Sequence, residues 1–169
     1  MREQIAARLE QAFSQYGFAE PSVSKLKDAC GVSLRTLYKY YPSKEEMIVA
    51  ALQHRHERYL TFLVPDQASQ GAEAVLEMFN QLETWMKEYA PHGCMSMNAI
   101  SAFPDHPEIT QAVQQHKLEV RELLGKKSSR PDLADSLFLI HEGVSNAWPV
   151  LGKQASQSAQ QTIQILMEQ

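Results

Sequence analysis

The sequence predicts an all-α chain of about nine helices, and three observations carry that reading. No stretch shows sustained period-2 alternation of β-branched and aromatic residues. Apolar residues instead recur at steps of three and four along nearly the whole chain. The helical stretches are separated by Ser, Gly and Pro at positions where those residues start or stop a helix.

The first helix spans about 2–16, with Ile5, Leu9, Ala12, Phe13 and Tyr16 on one stripe, and stops at Gly17, a natural place for a left-handed C-terminal cap. Ser22 opens a second, about 23–30, that buries Val23, Leu26 and Ala29 or Cys30. Gly31-Val32 makes a tight turn, Ser33 caps a third short helix over 34–41, and Pro42 ends it. Ser43-Lys44-Glu45-Glu46 fits a capping box at the head of a long fourth helix to about residue 63. Pro65-Asp66 and the polar residues 67–71 mark the best boundary between blocks. Val75, Phe79, Leu82, Met86 and Tyr89 then define a helix over 71–89, broken by Pro91-His92-Gly93. A shorter helix covers about 94–103, and Pro104-Asp105-His106-Pro107 starts another with Ile109, Val113, His116, Val120 and Leu123 in register. Residues 126–130 read as a loop. Leu133, Leu137, Ile140, Val144, Ala147 and Leu151 then form a heptad seam, with Pro149 expected to kink its helix or remove one backbone bond. The last helix spans about 157–168 and buries Ile163 and Leu166.

Composition bounds what such a chain can be. With 169 residues, 44% apolar and 21% charged, it is neither disordered nor fibrous and can bury a core without disulfides. Two cysteines, a mixed-charge amino terminus and a longest apolar run of six residues, 47–52, predict a cytoplasmic protein without a targeting peptide or membrane span. The formal charge of -4 argues at first against a nucleic-acid partner. It averages two unlike parts. Residues 1–60 hold nine Lys/Arg against seven Asp/Glu, whereas residues 61–169 hold seven against thirteen. Within 20–44 the cations Lys25, Lys27, Arg35, Lys39 and Lys44 face only Glu20 and Asp28. A small basic block on a larger acidic one suits a nucleic-acid-reading module on a regulatory body; a solvated basic face is the plain alternative.

Residues 22–41 have the layout of a helix-turn-helix: a short capped helix, a glycine turn and a second short capped helix. With Val32, Leu37 and Tyr41 as anchors, Arg35, Thr36, Tyr38, Lys39 and Tyr40 are left to face outward, where Tyr hydroxyls beside Lys suit phosphate and thymine-methyl contacts. The string Gly31-Val32-Ser33-Leu34-Arg35-Thr36-Leu37-Tyr38-Lys39-Tyr40-Tyr41-Pro42-Ser43-Lys44-Glu45-Glu46-Met47, preceded by Gly17-Phe18 and Ser22-Val23-Ser24-Lys25-Leu26, resembles the DNA-binding domain of the tetracycline-repressor (TetR/AcrR-type) family over about residues 5–52. Carried over by position, the resemblance implies that Thr36, Tyr38, Lys39, Tyr40 and Lys44 meet DNA, with Arg35 beside them. It also implies that Ser22 and Ser33 cap helices whose amino ends approach phosphate. Lys44 lies just inside a helix start, an unfavourable place for a cation that a phosphate partner would explain. The family usually has Phe where this chain has Tyr41, a core position whose hydroxyl then needs a partner.

The resemblance further implies a helix-turn-helix domain at 1–45 and a ligand-binding and dimerisation domain at 46–169, joined by the long fourth helix. The implied protein is a homodimer that binds a pseudo-palindromic double-stranded operator and is released by an unidentified small-molecule effector. The seam Leu133, Leu137, Ile140, Val144, Ala147 and Leu151, with Ile163 and Leu166, is the expected dimer face, unless it packs inside the monomer. Gly93-Cys94-Met95-Ser96-Met97-Asn98-Ala99 resembles a segment that borders the ligand cavity in some members of the family. Trp85, Tyr89, Cys94, Asn98, Phe103, His116, Phe138 and His141 are the candidate effector residues, and an ordinary aromatic core is the alternative for most of them. Cys94 at a helix start is either a small buried apolar residue or a redox or electrophile sensor. No metal or other cofactor is expected, since His54 and His56 face different sides of their helix. No nucleophile elbow, phosphate loop or carboxylate pair points to an enzyme. The rival reading is an all-helical ligand-carrying or protein-interaction module that no longer reads DNA.

Overall fold

The computed structural model describes residues 1–64 and 66–168; Pro65, expected at the block boundary, lies outside the described residues. Among those residues there are nine α-helices and no strand: α1 (Arg2–Tyr16), α2 (Val23–Cys30), α3 (Leu34–Tyr40), α4 (Lys44–Leu63), α5 (Gly71–Glu88), α6 (Met95–Ala102), α7 (Pro107–Lys127), α8 (Ala134–Leu151) and α9 (Lys153–Met167). A 3-10 turn, Pro131–Leu133, leads into α8. No helix among the described residues is long and apolar enough to cross a membrane.

The chain forms two compact units, one of residues 1–58 with 95–116 and one of residues 59–94 with 117–168. A single cut at 45/46 therefore does not follow the packing. Met95 and Ala99 of α6 and Ile109 and Val113 of α7 are buried in the same core as Ile5, Leu9, Phe13, Leu26, Leu37, Met47 and Ile48. A seam of apolar residues far along the sequence thus completes the amino-terminal core. The second unit has its own core, built from Val75, Phe79 and Leu82 of α5, Val120 and Leu124 of α7, Leu137 and Val144 of α8, and Ile163 of α9.

Local differences from the sequence reading have local causes. Gly17 has positive φ (74°) but ψ of -177°, so it ends α1 in an extended glycine conformation rather than the left-handed cap expected of it. The left-handed cap is at Gly31 instead (φ 62°, ψ 35°), whose N–H closes α2 on the Asp28 carbonyl. Where a loop is expected at 126–130, α7 runs through Lys127, whose buried ammonium donates to the carbonyls of Gln67 (2.6 Å) and Ser69 (3.3 Å). Helix α9 begins four residues early because Ala155, Ser156 and Ala159 are buried, and small residues give little hydropathy signal. Pro149 lies inside α8, which continues to Leu151.

Candidate functional site

The helix-turn-helix is built by its caps. Ser22 Oγ accepts the Lys25 N–H (3.2 Å), and Ser33 Oγ accepts the Thr36 N–H (3.0 Å) while also hydrogen-bonding Thr36 Oγ1 (2.8 Å). Between them, Gly31 is held close to α1: a Cβ there would lie 3.0 Å from Arg8 Nη1, whose guanidinium donates to the Cys30 carbonyl. Leu37 pins α3, fully buried beside Leu26 and Cys30, and Tyr41 is buried with its hydroxyl donating to the Arg2 carbonyl at 3.0 Å. Burial is also what pushes the Tyr41 phenol above its ordinary range.

With Leu37 anchored, α3 turns Arg35, Tyr38 and Lys39 to solvent, Tyr38 at 42% exposure. Thr36 and Tyr40 are half-buried, and Lys39 Nζ lies 5.7 Å from the Tyr40 ring centre. Ser22 and Ser33 are exposed at their helix starts. Two of the implied DNA contacts already have protein partners. The Thr36 hydroxyl is shared with Ser33, and Lys44 Nζ donates to the Ala19 carbonyl (3.1 Å) and sits 5.7 Å from the Phe103 ring centre. That carbonyl explains the placement of Lys44 without a phosphate; burial lowers its pKa, with Glu45 opposing. Lys25, on α2, belongs to the basic block but not to the implied DNA contacts; its ammonium lies 3.7 Å from the Tyr16 ring centre at the exposed face of the same unit.

Behind this face, Glu10 is buried and accepts from three side chains of α4: His54 Nδ1 (2.6 Å), Arg55 Nη1 (3.2 Å) and Arg58 Nη1 (2.6 Å). The carboxylate clamps α1 to α4, and with α1 it fixes the support on which α2 and α3 rest.

Residues 5–51 match the profile of the bacterial regulatory proteins of the tetR family. The chain carries a tetR-family helix-turn-helix domain. Its fold extends the likeness over the whole chain. A TetR-family transcriptional regulator from Streptomyces coelicolor superposes with a TM-score of 0.81 at 17% identity, covering 98% of this chain and 89% of that one. NemR of E. coli in its reduced form gives 0.81 at 21% identity, covering 98% and 97%. A TetR transcription regulator from Haloarcula marismortui gives 0.81 at 18%, covering 99% and 96%. No curated protein matches the chain. At these identities the structural likeness is one of fold, and the tetR-type domain is the part carried by sequence.

The eight candidate effector residues divide between the two units. Trp85, Tyr89, Cys94, Phe138 and His141 belong to the second. There Trp85 packs against Tyr59 and Tyr89, with ring centres 4.9 Å apart in each pair, and Phe138 stacks on His141 at 6.3 Å. Asn98, Phe103 and His116 belong to the first: Asn98 is exposed, Phe103 packs on His106, and buried His116 stacks on His56 (4.2 Å) with its Nε2 bonded to Gln53 Oε1 (2.7 Å). The second unit also has an open cleft of about 420 Å³ between the end of α4 and α7, lined by Leu60, Val64, Glu119 and Leu123 among others, and none of the eight candidates lines it.

The expected dimer face is corrected in part. Leu137, Val144 and Ile163 are sealed in the second unit's own core, so they cannot meet another chain. The heptad pattern reported the stripe that packs on α5 and α9. Leu133, Ile140, Ala147 and Leu166 are half-buried, and of the predicted set Leu151 alone is exposed. The apolar residues presented outward from α8 and α9 are Leu139, Val150, Leu151 and Ile165, at 69%, 85%, 48% and 64% exposure.

Sequence reading missed Tyr59, Lys117 and Glu142, which join His141 and Cys94 in one chain of polar contacts. Lys117 Nζ donates to both Glu142 oxygens (2.8 Å each) and to Cys94 Sγ (3.3 Å). His141 Nδ1 lies 3.0 Å from Glu142 Oε1, and its Nε2 lies 2.5 Å from the Tyr59 hydroxyl. Burial keeps the His141 imidazole below its ordinary pKa, against the opposing pull of Glu142. The available signal was register: Lys117 is four residues after Val113 and three before Val120, a lysine set in an apolar stripe.

Proposed function

We propose that the chain is a homodimeric, sequence-specific DNA-binding regulator that represses transcription and is released by a small-molecule effector. One observation carries the reading: α3 is anchored by Leu37 and its Ser33 cap, leaving Arg35, Tyr38 and Lys39 exposed on a tetR-type head. A helix held by its backing, with Arg35, Tyr38 and Lys39 exposed beside Leu34, supports major-groove readout. Tyr40 and Lys25 flank that face and supply backbone contacts, while Thr36 and Lys44 act first through Ser33 and Ala19 to hold α3 and α4. The second copy is proposed to dock on Leu139, Val150, Leu151 and Ile165, the large apolar residues that α8 and α9 expose. A dimer sets two recognition helices against half-sites about 34–36 Å apart, or somewhat more. Effector binding is assigned to the second unit, around Trp85, Tyr89, Phe138 and His141.

Selection of duplexes from a random pool, followed by anisotropy titration at several salt concentrations, tests the reading. A palindromic consensus bound with a steep salt dependence supports it. Equal affinity for selected and random duplexes at low salt refutes it and favours a module that no longer reads DNA.

A further inference from the structure

Among the described residues of the first unit, the large apolar side chains left exposed are Met1, Leu34, Tyr38 and Met97. Two of the four stand on α3, and they are four positions apart, where helix geometry makes side chains neighbours. Leu34 at 45% and Tyr38 at 42% exposure thus form one row along the free face. Arg35 and Lys39, also exposed and also four apart, form a second row about 100° round the helix from the first. The fold does not use Leu34 to seat the helix: Val32 packs on the core, Leu37 is buried in it, and Ser33 supplies the cap. The two rows can do different things on a duplex. Guanidinium and ammonium groups are drawn to any phosphate backbone. A leucine gains nothing from phosphate, and on the major-groove edges of the base pairs the apolar group is the thymine 5-methyl.

We propose that Leu34 is a base-selecting residue whose ligand is the 5-methyl group of one thymine in each half-site, with Tyr38 beside it along the same row. The proposal rests on the DNA-reading function above and adds the base that Leu34 selects. Discrimination comes from burial alone. Against thymine the leucine covers a methyl group. Against cytosine it covers the N4 donor, and against a purine the N7 acceptor, which removes water from a polar atom without replacing the hydrogen bond. A buried methyl-sized group is worth about fourfold in affinity, so a symmetric site that presents two such methyls loses about fifteenfold when both are deleted. The Arg35–Lys39 row contributes attraction to the backbone, which raises affinity for every duplex and leaves the choice of thymine to its apolar neighbour.

The test uses a duplex selected from a random pool and resynthesised with deoxyuridine for thymine, one position at a time in both half-sites. That exchange deletes the methyl and keeps the base pair. Anisotropy titrations then compare the wild-type chain with Leu34→Ala and Leu34→Met. At one thymine per half-site the wild type should lose about fifteenfold, and Leu34→Met should keep most of that discrimination. Leu34→Ala should bind the thymine and uracil duplexes within about twofold of each other, the signature of a coupled pair. Because Leu34 is exposed, Leu34→Ala should leave the urea midpoint unchanged, which separates lost contact from lost fold. A selected duplex in which no thymine-to-uracil exchange matters overturns the proposal. So does a Leu34→Ala chain that discriminates as the wild type does. In both cases the selected duplex still outcompetes random DNA and the regulatory reading stands, whereas the absence of any preferred duplex overturns both.

Discussion

Under the proposed function, helix α3 separates folding from reading at adjacent residues, and that separation can be measured. Leu37 is fully buried among Leu26, Cys30 and Met47, so Leu37→Ala removes three carbons from a closed core. The expected loss is about 3 kcal/mol, the middle of the range of roughly 2–5 for such truncations. Tyr38, one residue on, is 42% exposed, and its replacement by Ala should change stability by no more than about 0.5 kcal/mol. On DNA the order reverses: Tyr38→Ala should weaken binding to a selected duplex by about 1–3 kcal/mol, or roughly 5- to 150-fold, with the fold intact. Lys39→Ala should weaken selected and random duplexes alike and lower the salt slope by about 1. Urea denaturation followed by circular dichroism gives the first quantity, and anisotropy titration gives the second. If Tyr38→Ala lowers the urea midpoint as much as Leu37→Ala, or binds the selected duplex with wild-type affinity, α3 is not the anchored reading helix described above.

Three further outcomes follow from single contacts. Glu10→Gln removes the carboxylate shared by His54, Arg55 and Arg58 and should destabilise the chain by about 3 kcal/mol in urea denaturation, the low end for a broken buried pair because Arg58 is partly exposed. Gly125→Ala gains about 1 kcal/mol of helix propensity, but its Cβ would lie 2.8 Å from Ala134 Cβ, and the overpacking cost of about 1–3 kcal/mol should leave a net loss; a raised urea midpoint would contradict this. Burial holds His141 below its usual pKa of 6.5, so the unfolded chain takes up the proton first and stability should fall as pH drops below about 6.5. Glu142, held below 4.5, adds a loss of the same sign at lower pH. The slope between about pH 6.5 and 5, up to roughly 1.4 kcal/mol per pH unit for one proton, should flatten in His141→Gln.

Legibility in the sequence tracked how local each cause is. The caps at Ser22 and Ser33 and the Ser43 Oγ bond to the Glu46 N–H are three-residue devices, and each is formed where the sequence puts it. Leu37 was equally legible as an anchor beside Val32 and Tyr41, while Leu34 of the same helix is exposed. What covers the heptad stripe was not legible. A stripe at heptad spacing reports that a helix is buried on one side, and it says nothing about which chain does the burying; Leu137, Val144 and Ile163 are covered by the chain's own helices.

The polar chain in the second unit was legible only as separate letters. His141 and Cys94 stood out by residue type, but they are 47 positions apart in the sequence, and what joins them is Lys117 on α7 and Glu142 on α8. On a helix surface Lys and Glu are the commonest solvated residues, so composition gives no reason to select these two. Burial changes their meaning. Two opposite charges withdrawn from water need each other's geometry, and a lysine committed to that geometry cannot follow solvent, so its remaining donor stays fixed on whatever lies within reach. Here that is a thiol. Lys117 and Glu142 thus join α7 to α8 at this point, a pairing that residue periodicity does not encode.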